Sequence, residues 1–259
     1  MTDFQLIETM RWEPDTGIVR QRLHLERLKR SAARLGFPGA GQAEKRLTEV
    51  LGMPPLPCRA SPPQGGDRWG RLLPESRPGI ELPLVGEMSA RPTEGVRLAR
   101  SQKPNPPPRP SHAQQHRPHR CDHRTLHPLP ADTVWTVRIA KTRLVSTDPL
   151  LRYKTSRRAV YEAARAEYGT DEADEVLLLN ERGEPCEGTI TSLFVDDGSS
   201  ILKTPPISRG LLAGVLRTEM ICQRKARVQR LTLDDLKGRP VFMGNSLRGL
   251  IRANLIWDT

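Results

Sequence analysis

Residues 151–195 read LRYKTSRRAVYEAARAEYGTDEADEVLLLNERGEPCEGTITSLFV, and their patterning decides the fold class. Residues 156–168 read as a helix. EVLLL at 175–179 is a short continuous apolar run, which suits a strand covered on both faces. Asn180 to Gly183 follows as a turn, and TITSLFV at 189–195 is a second strand. Glu187 falls in a tight Cys186-Glu187-Gly188 turn just ahead of it. Helix alternating with buried strand implies an α/β fold.

The same regularity extends over residues 131–259, a well-patterned α/β domain. TVWTVRI at 133–139 alternates like a strand. A helix opens at Gly214 after Pro205-Pro206 and runs to Cys222. VFM at 241–243 is a short strand that enters Gly244-Asn245-Ser246. Residues 1–52 form a second, smaller α/β unit. There HLERLKRSAARL at 24–35 puts Leu25, Leu28, Ala32 and Leu35 on one helical face, with Gly36 as C-cap. Residues 4–19 hold strand-like pieces around an Asp15-Thr16-Gly17 turn.

Residues 53–130 differ from both. They contain seventeen of the 24 prolines and five of the six histidines, with no sustained period of 2 or 3.6. Such a stretch is foreign to a compact domain. Two readings fit it, a disordered insertion or a segment translated out of frame. The joint enrichment in Pro, Arg, His and Cys, and the abrupt return of pattern near Ala131, favour the second.

The 259 residues suffice for one large or two small domains. No apolar run is long enough for a membrane span. The N-terminal MTDFQLIETM lacks a basic n-region, so no secretory signal is read there. Four scattered cysteines without a C-x-x-C pair fit a reducing cytoplasm better than a disulfide scaffold. The net charge of +11 suggests nucleic acid, but twelve Lys/Arg against six Asp/Glu sit in residues 53–130. Aromatic residues are few and not interleaved with the basic ones, so no stacking platform is present, and no nucleic-acid partner is expected.

Some residues could carry chemistry. A lysine becomes a nucleophile when burial near other cations lowers its pKa, and Lys154 has Arg152, Arg157 and Arg158 beside it. Taken alone, it reads more readily as a solvated surface lysine. Glu187 alone is an ordinary turn glutamate. The helix start at Gly214-Val215-Leu216 offers free backbone N–H groups and a favourable dipole for an anion. Cys121 with His119, His123 and His127 matches no common zinc spacing, so no metal is expected. GFPGAG at 36–41 has no strand before it and no dinucleotide fingerprint after it.

Five blocks in order carry more information than any one. KTSRRAVY from Lys154, DEVLLLNERGE from Asp174, EGTITSLFV from Glu187, TPPISRGLLAGVLR from Thr204 and FMGNSLRGL from Phe242 together resemble the class IV aminotransferase family. These are pyridoxal 5'-phosphate (PLP) enzymes of fold type IV. The resemblance runs across about residues 131–256 and more weakly across 4–37. It implies a two-domain α/β enzyme, a homodimer, with the cofactor between the domains and a small-molecule amine or amino acid as substrate. On that resemblance Lys154 holds PLP as a Schiff base and moves the substrate proton. Glu187 contacts the pyridine nitrogen. Val215, Leu216, Ser246 and Arg27 anchor the phosphate. Arg158, in a Lys-x-x-x-Arg spacing, and NSLRG at 245–249 look more like the 4-amino-4-deoxychorismate lyase branch, which eliminates pyruvate to give the folate precursor p-aminobenzoate. Arg158 is the candidate substrate-binding residue. Branched-chain transaminases usually carry a tyrosine where Ala159 stands, and they are the alternative. The departure at 53–130, where the family has N-terminal strands and pocket loops, keeps open a catalytically impaired or binding-only relative.

Overall fold

The computed structural model describes residues 4–51, 79–85, 124–126 and 129–257. In chain order its elements are β1 (Ile7–Glu13), β2 (Gly17–Ile18), α1 (Gln21–Leu35), α2 (Ala43–Leu51), β3 (Gly79–Val85), β4 (Arg124–Leu126), β5 (Val134–Leu144), α3 (Ala159–Arg165), β6 (Glu175–Asn180), β7 (Pro185–Gly188), β8 (Ser192–Val195), β9 (Leu202–Thr204), α4 (Val215–Cys222), β10 (Ala226–Val228), β11 (Val241–Asn245) and β12 (Gly249–Ile256). The α/β class expected from the sequence is the class observed.

One sheet has the order β2-β1-β3-β4, and a larger one runs β10-β9-β8-β11-β12-β5-β6-β7. Strand β7 also pairs with β8, so β8, β11, β12, β5, β6 and β7 close on themselves, with β9 and β10 as an extension. Closure leaves those strands without a free edge. The apolar run of β6 is buried throughout. Leu177 and Leu179 face the barrel core with Val137, Leu193, Val195, Met243 and Ile251. Val176 and Leu178 face Tyr161 and Ala164 of α3. Two covered faces explain a run that does not alternate, and each buried leucine contributes roughly 2 kcal/mol.

In the smaller unit, Leu25, Leu28 and Ala32 of α1 pack with Leu6 and Met10 beside β1. Gly36 caps α1 at φ 73, the left-handed conformation in which glycine carries no Cβ penalty. Within residues 53–130, β3 and β4 are strands: β3 pairs antiparallel with β1 from Ile7↔Val85 to Trp12↔Ile80, and β4 pairs with β3. The rest of what the sequence suggested for that segment, including Cys121 and the neighbouring histidines 119, 123 and 127, lies outside the described residues.

Three expectations change. Helix α3 begins at Ala159 rather than 156, because residues 154–156 are engaged elsewhere. Ile7 N–H donates to Lys154 C=O (2.8 Å), Ser156 N–H donates to Gln5 C=O (2.9 Å), and Leu6 bridges Thr155. Backbone groups spent on an antiparallel bridge cannot enter a helix. Glu187 lies on strand β7, opposite Leu178 of β6, rather than in a turn. The turn comes at residues 189–191, so the following strand starts at Ser192 rather than Thr189.

Candidate functional site

A cavity of about 580 Å³ is lined by β1, α1, the segment leading into α3, the β7–β8 turn, the start of α4 and the loop after β11. The residues singled out in the sequence, Lys154, Glu187, Arg27, Arg158, Val215, Leu216 and Ser246, all line it.

The bridge to residues 5–7 fixes the backbone of Lys154, and the side chain is half-buried. Enclosure of the ammonium, then the charges of Arg27 and Arg158, lower its pKa to about 8 against the opposing pull of Glu8 and Glu187. An amine in that range has an appreciable neutral fraction near physiological pH.

Glu187 is buried on β7. Tyr161 Oη donates to its Oε1 (2.8 Å), and Leu212 N–H donates to both oxygens (3.2 and 3.1 Å). Burial pushes this carboxyl up to about 8, and the hydrogen bonds from Tyr161 and Leu212 only partly oppose it. A buried carboxyl of this kind, with no cation bonded to it, favours a cationic group brought into the cavity. Arg158 donates to Thr189 C=O (2.7 Å) and stacks over the Tyr161 ring at 5.0 Å, so part of its guanidinium serves the cavity wall.

At the other end, no side chain caps α4, and the first N–H groups of the helix, on Val215 and Leu216, border the cavity. A Cβ on Gly214 would lie 2.6 Å from Ser192 Oγ, and one on Gly244 would lie 2.9 Å from Leu216. Only glycine leaves room for the Ser192 and Leu216 side chains so close to the backbone at 214 and 244. Arg27 is a fork held by Glu8, with Nε at 2.8 Å from Oε1 and Nη2 at 2.6 Å from Oε2. Glu8 also accepts from His24 Nδ1 (2.7 Å), and His24 Nε2 meets Ser246 Oγ at 2.8 Å. Burial pushes the Glu8 carboxyl up, but Arg27 and His24 prevail and hold it below the usual carboxylate range.

Sequence reasoning did not single out Glu8 and His24. The one signal was that His24 stands a helical turn before Arg27, on the same face of α1. Glu175 was also missed. It is buried and accepts from Thr189 N–H and Oγ1, Ile190 N–H and Thr191 Oγ1 (3.1, 2.6, 3.2 and 2.9 Å), which holds the β7–β8 turn against the cavity. Among the described residues there is no cluster of three or more metal-ligating side chains, and no helix is long and apolar enough to cross a membrane.

No curated protein sequence matches the chain. The family model for amino-transferase class IV matches residues 5–256. A candidate amino-acid aminotransferase from Mesorhizobium loti is 39% identical, with 98% of this chain and 100% of that one covered and a TM-score of 0.69. A 4-amino-4-deoxychorismate lyase from Pseudomonas aeruginosa shares the fold at 20% identity, with 97% and 82% covered and a TM-score of 0.61. A branched-chain aminotransferase from Thermoproteus uzoniensis, solved with norvaline, shares it at 18% identity, with 97% and 78% covered and a TM-score of 0.64. With most of its length matched by the family model, this chain belongs to the class IV aminotransferases, a family that uses pyridoxal 5'-phosphate.

Proposed function

We propose that the chain is a PLP-dependent enzyme acting on the amino group of a small carboxylated amine in this cavity. The observation that carries the reading is one cavity lined by both Lys154, with its lowered pKa, and the buried carboxyl of Glu187, beside an uncapped helix start. These residues fit the cofactor. A lysine amine suits its aldehyde, a buried carboxyl suits its pyridine nitrogen, and the uncapped start of α4, where Gly214 leaves no side chain over the helix end, suits its phosphate.

The cofactor, when bound, supplies an electron sink for the electrons left as a bond at the amine-bearing carbon breaks. Lys154 is the nucleophile, and its amine then removes or returns the proton on that carbon. Glu187, its oxygens fixed by Tyr161 and Leu212, keeps the pyridine nitrogen protonated. Arg27, Ser246 and the N–H groups of Val215 and Leu216 anchor the phosphate. Arg158 spends one donor on Thr189 and keeps others for a substrate carboxylate. The reading includes a homodimer, as the family resemblance implies, built on the units 1–52 and 131–259 and placed in the cytoplasm, where four scattered cysteines stay reduced.

Arg158 and the NSLRG loop support a lyase that releases p-aminobenzoate from aminodeoxychorismate. The 39% identity to a candidate amino-acid aminotransferase favours transamination as a second reading. The purified, PLP-loaded protein is to be assayed for p-aminobenzoate release from aminodeoxychorismate and for keto-acid formation from leucine. Release of p-aminobenzoate without keto acid supports the lyase, and the reverse supports the transaminase. If neither product forms, the reading as an active enzyme of these two kinds fails.

A further inference from the structure

Three side chains beneath the proposed phosphate site form a buried chain. Glu8, His24 and Ser246 are 2%, 1% and 7% exposed, so water cannot readily supply a missing hydrogen-bond partner. Glu8 accepts from Arg27 and from His24 Nδ1. An ionised carboxylate only accepts, so Nδ1 carries a hydrogen. The one free variable is His24 Nε2, 2.8 Å from Ser246 Oγ.

A hydroxyl has one hydrogen to give. With His24 neutral, Ser246 donates to Nε2 and presents only lone pairs to an anion. With His24 protonated, Nε2–H donates to Oγ, and the serine hydrogen is released toward the cavity that Ser246 lines. From this geometry we infer that binding of a phosphate monoester dianion draws a proton onto His24, making the Glu8–His24 pair a positioning device that sets which way Ser246 donates. The inference rests on the reading that Ser246 meets the cofactor phosphate.

The surrounding charges are compatible with it. On α1 itself stand Arg27, held by Glu8, and Arg20 at the helix start, paired with Glu219 of α4 at 2.7 Å. Glu8 faces His24 from β1, and Lys154 lines the same cavity ahead of α3. A proton on His24 would be shared with the Glu8 carboxylate and would face the incoming dianion, so it is not a lone buried cation.

The test is calorimetric titration of the cofactor-free protein with pyridoxine 5'-phosphate, which has no aldehyde to react with Lys154. Titrations at pH 7.5 to 8 in buffers of different ionisation enthalpy give the protons taken up. The wild type is expected to take up about one proton more than His24→Gln, whose amide donates to Ser246 without titrating, and to lose affinity with rising pH more steeply than that variant, by up to tenfold per pH unit for the one extra linked proton. Retained binding by His24→Gln, with that proton missing, supports the inference. Equal uptake by wild type and His24→Gln, with Ser246→Ala binding more weakly than wild type, overturns it and leaves the phosphate assignment standing. Unweakened binding by Ser246→Ala overturns the phosphate assignment and the inference together. Thermal melts of each variant check folding, and Ser246→Ala serves in place of His24→Gln should the latter not fold: loss of the proton supports the inference, and an unchanged uptake overturns it.

Discussion

Lys154 and Glu187 both sit far from their ordinary protonation range, and each shift has a measurable consequence. The Lys154 amine, lowered to about 8, is mostly protonated at pH 6 and mostly free at pH 9. The rate of PLP attachment is therefore expected to rise roughly tenfold per unit up to about pH 8 and then level off. Stopped-flow absorbance of the forming adduct checks this, and a plateau reached only near the usual lysine range would contradict it. Glu187, raised to about 8, binds a proton in the folded state that the unfolded chain loses near 4.5. Its contribution to the cofactor-free protein is thus largest at low pH and is lost as pH rises through 8, a difference on the order of a few kcal/mol. Glu187→Gln is expected to raise the melting temperature of the cofactor-free protein at pH 8 and to weaken PLP binding. A lowered melting temperature would show the carboxylate to be structurally needed. Lys154, Glu187, Arg158, Val215, Leu216 and Ser246 could be singled out because ordered blocks carry them, and Arg27 through the weaker likeness over residues 4–37; all seven line one cavity. Glu8 and His24 were not, since a strand glutamate and a helix histidine look ordinary until Ser246, 222 positions beyond His24, is brought alongside.

Among the elements, the β7–β8 turn forms one wall of the cavity, and Glu175 holds it. Glu175→Gln replaces an acceptor of five hydrogen bonds, four from the turn and one from Val176 N–H, with a group carrying its own donors. It is expected to cost roughly 2–4 kcal/mol, read by urea unfolding, and a change under about 0.5 kcal/mol would show the turn to be held by other means. The sequence displayed β6 well because an apolar run covered on both faces is hard to mistake. It displayed β12 poorly. Ile251 and Ala253 point inward while Leu250, Arg252 and Asn254 are exposed, but small Ala253 and outward Leu250 blur the alternation in GLIRANLI. The start of α3 was misread because local pattern cannot register that Ser156 is bound to Gln5.

At the scale of the whole molecule, the cavity is composite. Ser246 is gripped by α1 through His24 on its hydroxyl and through Arg20, which donates to its C=O at 3.2 Å and pairs with Glu219. Arg20 holds this position at φ 59, a left-handed conformation that a non-glycine residue adopts at a cost of about 1–2 kcal/mol. Arg20→Gly relieves that cost and removes the clamp. Stability is expected to stay within about 1 kcal/mol of wild type, while the affinity for pyridoxine 5'-phosphate falls several-fold in the same calorimeter. Unchanged affinity would mean that the two units align without Arg20. Such long-range pairings left no trace in local patterning, whereas the α/β class and the family did. Residues 53–130 hide β3 and β4 from any reading of period, because seventeen prolines dominate the stretch around them.

The proposed function requires Lys154 to be the residue that holds PLP. The direct measurement is borohydride reduction of the PLP-loaded protein followed by peptide mapping, with the visible cofactor band recorded beforehand for wild type and Lys154→Ala. The expected result is a single phosphopyridoxyl label on Lys154 and no band in the variant. A label on another lysine, or a band that persists in Lys154→Ala, would contradict the account.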